Sequence, residues 1–157
     1  FPKLYPNATH SEGPEYNKNY WVAKNENTGE EVGITGFSEF SGDSPKHAWL
    51  GWFAVKPGLQ GGRIGVKMLD HTIGELKKLG KTDLYVQTSD RLNMRGNAKF
   101  YERNGFSVVV TMDTNGTIHR IPESDNLSLE IIRAVINPDD PANGITNFIR
   151  RRRLTKE

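Results

Sequence analysis

The sequence predicts an α+β domain, with a mixed, mostly antiparallel sheet flanked by helices. Three observations carry this. Two strands joined by a tight turn open the patterned part of the chain. A third strand then runs through a glycine-rich loop into an amphipathic helix, and a strand–helix–strand succession follows. With 157 residues, the chain is long enough to enclose a hydrophobic core as one domain.

Residues 1–19 are rich in Pro, Asn, Gly, Glu and Tyr and show no period, which predicts an irregular lead-in. Tyr20–Ala23 and Val32–Phe40 read as strands of a hairpin turned at Asn27-Thr28-Gly29. His47–Val55 is the third strand. From Arg63 to Leu79, Ile64, Met68, Leu69, Ile73, Leu76 and Leu79 recur at helical spacing, and Gly80 closes the helix. Asp83–Thr88 is strand, Asn97–Asn104 a short helix ended by Gly105, and Phe106–Met112 strand. Leu127–Ile136 reads as the last strand. After the Pro-rich break at 137–141, Ile145–Leu154 has the pattern of a short basic amphipathic helix.

Composition narrows the functional classes. There are 21 Lys and Arg against 19 Asp and Glu, a net charge of +2, so no global field favours nucleic acid. Without cysteine there is neither a disulfide framework nor a thiolate nucleophile. No apolar run approaches membrane-spanning length, and the start lacks the layout of a signal peptide. A cytoplasmic protein without a membrane partner is expected. The first residue is Phe, which suggests a processed product or a fragment.

The most informative stretch is Val55 to Leu69. A strand, a bare-backbone loop and a helix start form an anion cradle, because first-turn N–H groups point at negative oxygens. The Gly-x-x-x-x-Gly-Lys-Ser/Thr loop of nucleotide hydrolases is not present, and the dinucleotide spacing Gly-x-Gly-x-x-Gly is not met. A plain strand-to-helix turn is the competing reading.

The run Val55-x-Pro57-x-x-Gln60-Gly61-x-x-Ile64-Gly65-x-x-x-Leu69 resembles the acetyl-CoA loop of the GNAT N-acetyltransferase superfamily. A second run, Asn97-Ala-Lys-Phe-Tyr101-Glu-Arg-Asn-Gly105-Phe106, resembles that family's later Tyr-Glu-Arg/Lys-x-Gly-Phe helix. The resemblance covers residues 20–136, leaving 137–157 as a C-terminal extension with a basic tail. It implies an N-acetyltransferase using acetyl-CoA as co-substrate, with no metal, acting by direct attack of an amine on the thioester. Two departures stand out. Arg63 occupies a usual glycine position, and the helices that normally follow the first strand and close over the acceptor do not fit into residues 1–19. Part of the usual N-terminal strand and helices is therefore expected to be missing, or the acceptor side to be built otherwise.

The resemblance also implies roles. Main-chain groups of Gln60, Gly61, Gly62, Arg63, Ile64, Gly65 and Val66 would hold the pyrophosphate. Phe53, Ala54 and Val55 would pair with the pantetheine amides, with an N–H near Phe53 or Ala54 as oxyanion donor. That strand splays from the next in the family, and Thr88 on the latter is a further expected cofactor contact. Tyr101 would protonate or hydrogen-bond the departing thiolate, and Asn97, one turn earlier, would touch the cofactor arm. The family's usual general base, a Glu, is replaced by Gly51. Glu39 is then the leading candidate, with His47 and a water relay as alternatives. The partner is an amine-bearing acceptor, small molecule or peptide. Ile145, Phe148 and Ile149 share a face of the expected tail helix, which could dock on the sheet or on a second subunit as a homodimer. Nucleic-acid binding through Arg150–Arg153 is disfavoured, and a solvated chain end is its default. A CoA-binding scaffold that has lost turnover is the alternative from another class.

Overall fold

The computed structural model describes residues 2–10, 15–60, 63–91, 95–122 and 127–154. The chain divides into two compact units, one of Phe1–Ser41 with Pro45–Thr82, the other of Gly42–Ser44 with Asp83–Glu157. Together their described residues form eight strands and three α-helices, and the α+β expectation holds.

The first unit is a meander: β1 (Pro2–His10), β2 (Glu15–Asn25), β3 (Glu31–Phe40) and β4 (His47–Val55), each antiparallel to the next. The predicted hairpin turn is built by Asn25, whose Oδ1 accepts from the N–H groups of Asn27 (2.8 Å) and Thr28 (3.2 Å). Helix α1 (Ile64–Lys78) buries Met68, Leu69, Thr72, Ile73 and Leu76, the face its apolar spacing predicts. Met68 packs with Ala23 and Val32. A Cβ on Gly33 would fall 2.7 Å from the Met68 sulfur, so glycine is what lets helix and strand approach. Thr72 Oγ1 donates to the Met68 carbonyl (3.0 Å), so the 2.7 Å contact with Thr35 is donated by Thr35, and both buried hydroxyls are satisfied.

The His71 ring on α1 and the Trp21 ring lie edge to face with their centres 4.8 Å apart, and His71 Nε2 is buried without a hydrogen-bond partner among the described residues. Burial lowers its pKa below the usual 6.5. Its neutral form is therefore the stabilised one, so stability is complete above 6.5 and falls as pH drops through the lowered value. His71→Phe should remove this acid sensitivity. Urea titrations at pH 7 and pH 5 check it: the parent should lose stability between the two more steeply than the variant.

The second unit contains β5 (Asp83–Ser89), α2 (Arg95–Arg103), β6 (Ser107–Met112), β7 (Ile118–Arg120), α3 (Leu129–Val135) and β8 (Asn147–Arg153). Its strand order is β5-β8-β6-β7, antiparallel throughout.

Three sequence expectations are corrected. Within residues 1–19, expected to be irregular, β1 and the start of β2 pair from Pro2↔Asn25 to His10↔Lys18, because backbone pairing needs no side-chain period. Leu127–Ile136 contains the helix α3 and not a strand. Ser128 caps α3 by accepting from Ile131 N–H at 3.1 Å, and the buried Leu127, Ile131, Ile132 and Ile136 follow helical spacing. Ile145–Leu154 is not a helix but contains the strand β8, hydrogen-bonded on both edges, and tertiary pairing overrides its helical pattern. The arginines are accordingly not a solvated tail. Arg150 is buried, and Arg152 Nη1 donates to the Asn104 carbonyl at 2.9 Å, holding the end of α2.

Candidate functional site

In the first unit, β4 leads into a turn in which Leu59 N–H donates to the Lys56 carbonyl at 3.0 Å. Pro57 and Gly58 occupy its centre, and Gly58 has φ +89°, the type II requirement. Gln60 braces this turn with its side chain. Its Nε2 donates to the Val55 carbonyl (3.2 Å) and its Oε1 accepts from Gly58 N–H (3.1 Å). Gly61 and Gly62 lie outside the described residues. Arg63 occupies the N-cap of α1 without a capping side-chain bond, and the first turn holds no acidic residue. Arg63 itself is exposed and has no ion-pair partner among the described residues. The N–H groups that open α1, at Ile64, Gly65 and Val66, thus begin an uncapped helix beside a cation, a setting that suits phosphate.

β4 carries a bulge. Ile34 faces Ala54 and Gly36 faces Gly51, so Thr35 alone stands opposite Trp52 and Phe53. Trp52 has φ +54°, and Phe53 and Ala54 follow it where the main chain is re-aimed. Phe53, Val55 and Ile64 pack on the Met68 cluster, which fixes both ends of the loop.

In the second unit, Tyr101 on α2 is buried against Phe106 (5.3 Å between ring centres) and Phe100 (5.6 Å). Burial pushes its phenol up to about 12, and the Arg150 guanidinium opposes part of that rise. Arg150 Nη1 donates to Glu102 Oε2 (3.2 Å) and its Nε to Thr88 Oγ1 (3.4 Å). Thr88 is buried on β5, whereas Asn97 is exposed at the start of α2. Arg150 is the residue that sequence reasoning missed here, because a run of four arginines reads as solvent-facing.

Residues 16–108 match the family model of the GNAT acetyltransferase domain. This chain belongs to the GNAT acetyltransferase family. Its fold is similar to that of a protein assigned to the GNAT family from Desulfovibrio desulfuricans, at 17% identity and TM-score 0.63, covering 88% of this chain and 70% of that one. A GNAT-family acetyltransferase from Staphylococcus aureus is similar at 22% identity and TM-score 0.59, covering 88% and 69%. N-acetylglutamate synthase from Neisseria gonorrhoeae, solved with coenzyme A and N-acetyl-glutamate, is similar at 17% identity and TM-score 0.56, over 87% of this chain but 26% of that one. No curated protein sequence matches significantly.

A GNAT domain transfers acetyl from an acyl-CoA to nitrogen, so the fate of the amine proton matters. Glu39, the candidate base, has both carboxylate oxygens engaged: Oε1 with Lys81 Nζ at 2.8 Å and Oε2 accepting from Asn17 Nδ2 at 3.0 Å. The Lys81 side chain is only 7% exposed and also donates to the Pro45 carbonyl. His47 is buried at the first position of β4. Between β1 and β2 only residues 11–14 intervene, too few for the helices that the family places there.

Proposed function

We propose that this chain transfers an acetyl group from acetyl-CoA to an amine by direct attack on the thioester. The observation that carries this reading is the Gln60-braced turn running into the uncapped start of α1, within a family-matched domain. Main-chain N–H groups from Gln60 to Val66, with the Arg63 guanidinium, would grip the pyrophosphate. Phe53 to Val55 would pair with the pantetheine amides, and an N–H at the bulge would meet the carbonyl oxygen as it gathers negative charge. The test compares CoA with pantetheine, which lacks the phosphates. Calorimetry should give CoA at least tenfold tighter binding, and equal affinities would contradict a phosphate grip.

Tyr101 acts on the leaving sulfur, and magnitudes decide how. An ordinary thiol ionises near 8.5 and this phenol near 12, so complete proton transfer to thiolate runs uphill by about 5 kcal/mol. Tyr101 therefore works chiefly as a hydrogen-bond donor to sulfur as charge develops, aided by the Arg150 cation beside it.

Glu39 serves as the counter-ion of Lys81, and the acceptor's proton leaves through water. Glu39→Gln should cost about 3 kcal/mol of stability by stranding a buried ammonium, while kcat of the folded fraction stays within a few-fold. Lys81→Met in the same chain should restore the stability. Denaturant titration and turnover measured together check this, and a 10²-fold loss of kcat without loss of stability would make Glu39 the base instead.

A further inference from the structure

Three register neighbours of the first unit, Tyr20, Gly36 and Gly51, lie side by side across β2, β3 and β4. Residues directly opposite in antiparallel strands project to the same face. A Cβ on Gly36 would fall 2.5 Å from Tyr20 Cβ, so the absence of a side chain there is what lets Tyr20 settle over β3. A Cβ on Gly51 would meet nothing within 4 Å, so the space above it is open. Trp52 stands next along β4, its ring 5.8 Å from that of Tyr20 at an angle of 43°.

Trp52 is 62% exposed, although it is among the largest apolar residues of the chain. It also holds φ +54°, the left-handed region that a bulge usually gives to glycine. A residue with a Cβ is strained there, because the Cβ crowds the following carbonyl oxygen. Neither exposure nor backbone conformation is favourable for tryptophan, and its one aromatic contact among the described residues is with Tyr20. Such combinations persist where the side chain has a task. Two tilted aromatic faces beside an open glycine floor offer electron-rich surface to a cation.

We propose that Tyr20 and Trp52 form an aromatic platform over Gly51 that receives the ammonium group of the acceptor before it loses its proton. The proposal deepens the acetyltransferase reading and rests on it for the role of the cation. Binding of the cation to the platform stands apart from turnover and is tested separately.

The probe is choline, a quaternary ammonium that cannot be acetylated on nitrogen, set against its neutral carbon isostere, 3,3-dimethylbutan-1-ol. Tryptophan fluorescence reads the titration, since Trp52 is far more exposed than Trp49. Choline should bind saturably and about fivefold tighter than the isostere. A Cβ at position 51 meets nothing within 4 Å, so Gly51→Val enters the open space, and a strand position suits valine. Gly51→Val should abolish the choline response, while Trp52→Phe, which removes the reporting ring and is read by calorimetry, should retain part of the binding. Trp52→Gly, which suits the left-handed backbone, should remove the preference for the cation, read by calorimetry. CoA affinity should stay within twofold in all three variants. Equal binding of choline and its isostere, or a choline preference that survives in both Gly51→Val and Trp52→Gly, would overturn the platform. Loss of CoA binding in the parent would instead overturn the acetyltransferase reading and leave the cation result standing.

Discussion

Tyr101→Phe should lower turnover roughly 10²-fold while the fold and CoA affinity persist, the size expected for losing one positioned donor. The ring keeps its contacts with Phe100 and Phe106, so the change removes a hydroxyl and little else. The deficit should shrink with acyl donors whose leaving thiols have lower pKa values, since those thiolates need less stabilisation. A second readout follows from the phenol's shift. Its pKa rises from 10 to about 12 on folding, so its neutral form contributes stability that is complete below pH 10 and lost as pH rises toward 12. Tyr101→Phe should flatten that alkaline loss, and turnover of the parent should show no Tyr101-dependent decline below pH 10. A variant that turns over like the parent would make Tyr101 a core aromatic only.

Gly65→Val should raise the CoA dissociation constant at least tenfold, about 1.4 kcal/mol, by placing a branched side chain where the main chain approaches the pyrophosphate. Gly65 is buried in the first turn of α1, so a folding check accompanies the titration. Gly65→Ala separates the two effects. Alanine is the better helix former by up to about 1 kcal/mol, so binding should weaken without loss of helix stability. Unchanged CoA affinity in either folded variant would move the cofactor elsewhere.

The elements flanking the loop were legible because their signals are local. The strand ending at Val55, the Pro57-Gly58 turn and the apolar period of α1 each follow from residues within a few positions of one another. The Tyr101 helix was legible for the same reason. What escaped depends on partners far along the chain. β1 exists through its pairing with β2 and has no period of its own, and β8 is held by strands on both sides against a helical period. α3 was hidden by the alternation of Leu127 and Leu129, although Ser128 carries the cap that distinguishes a helix. Within the site, the residue types were readable but their commitments were not. Nothing local ties Glu39 to Lys81, or a tail arginine to Thr88 and Glu102.

Turnover of acetyl-CoA with an amine decides whether this chain is an enzyme. Release of free CoA thiol, followed with a panel of amines and beside calorimetric acetyl-CoA binding on the same preparation, tests it most directly. Saturable binding is expected, together with thiol release that requires an amine and falls in Tyr101→Phe. Saturable binding with no amine-dependent release from any member of the panel would contradict it, and would make the chain a CoA-binding scaffold.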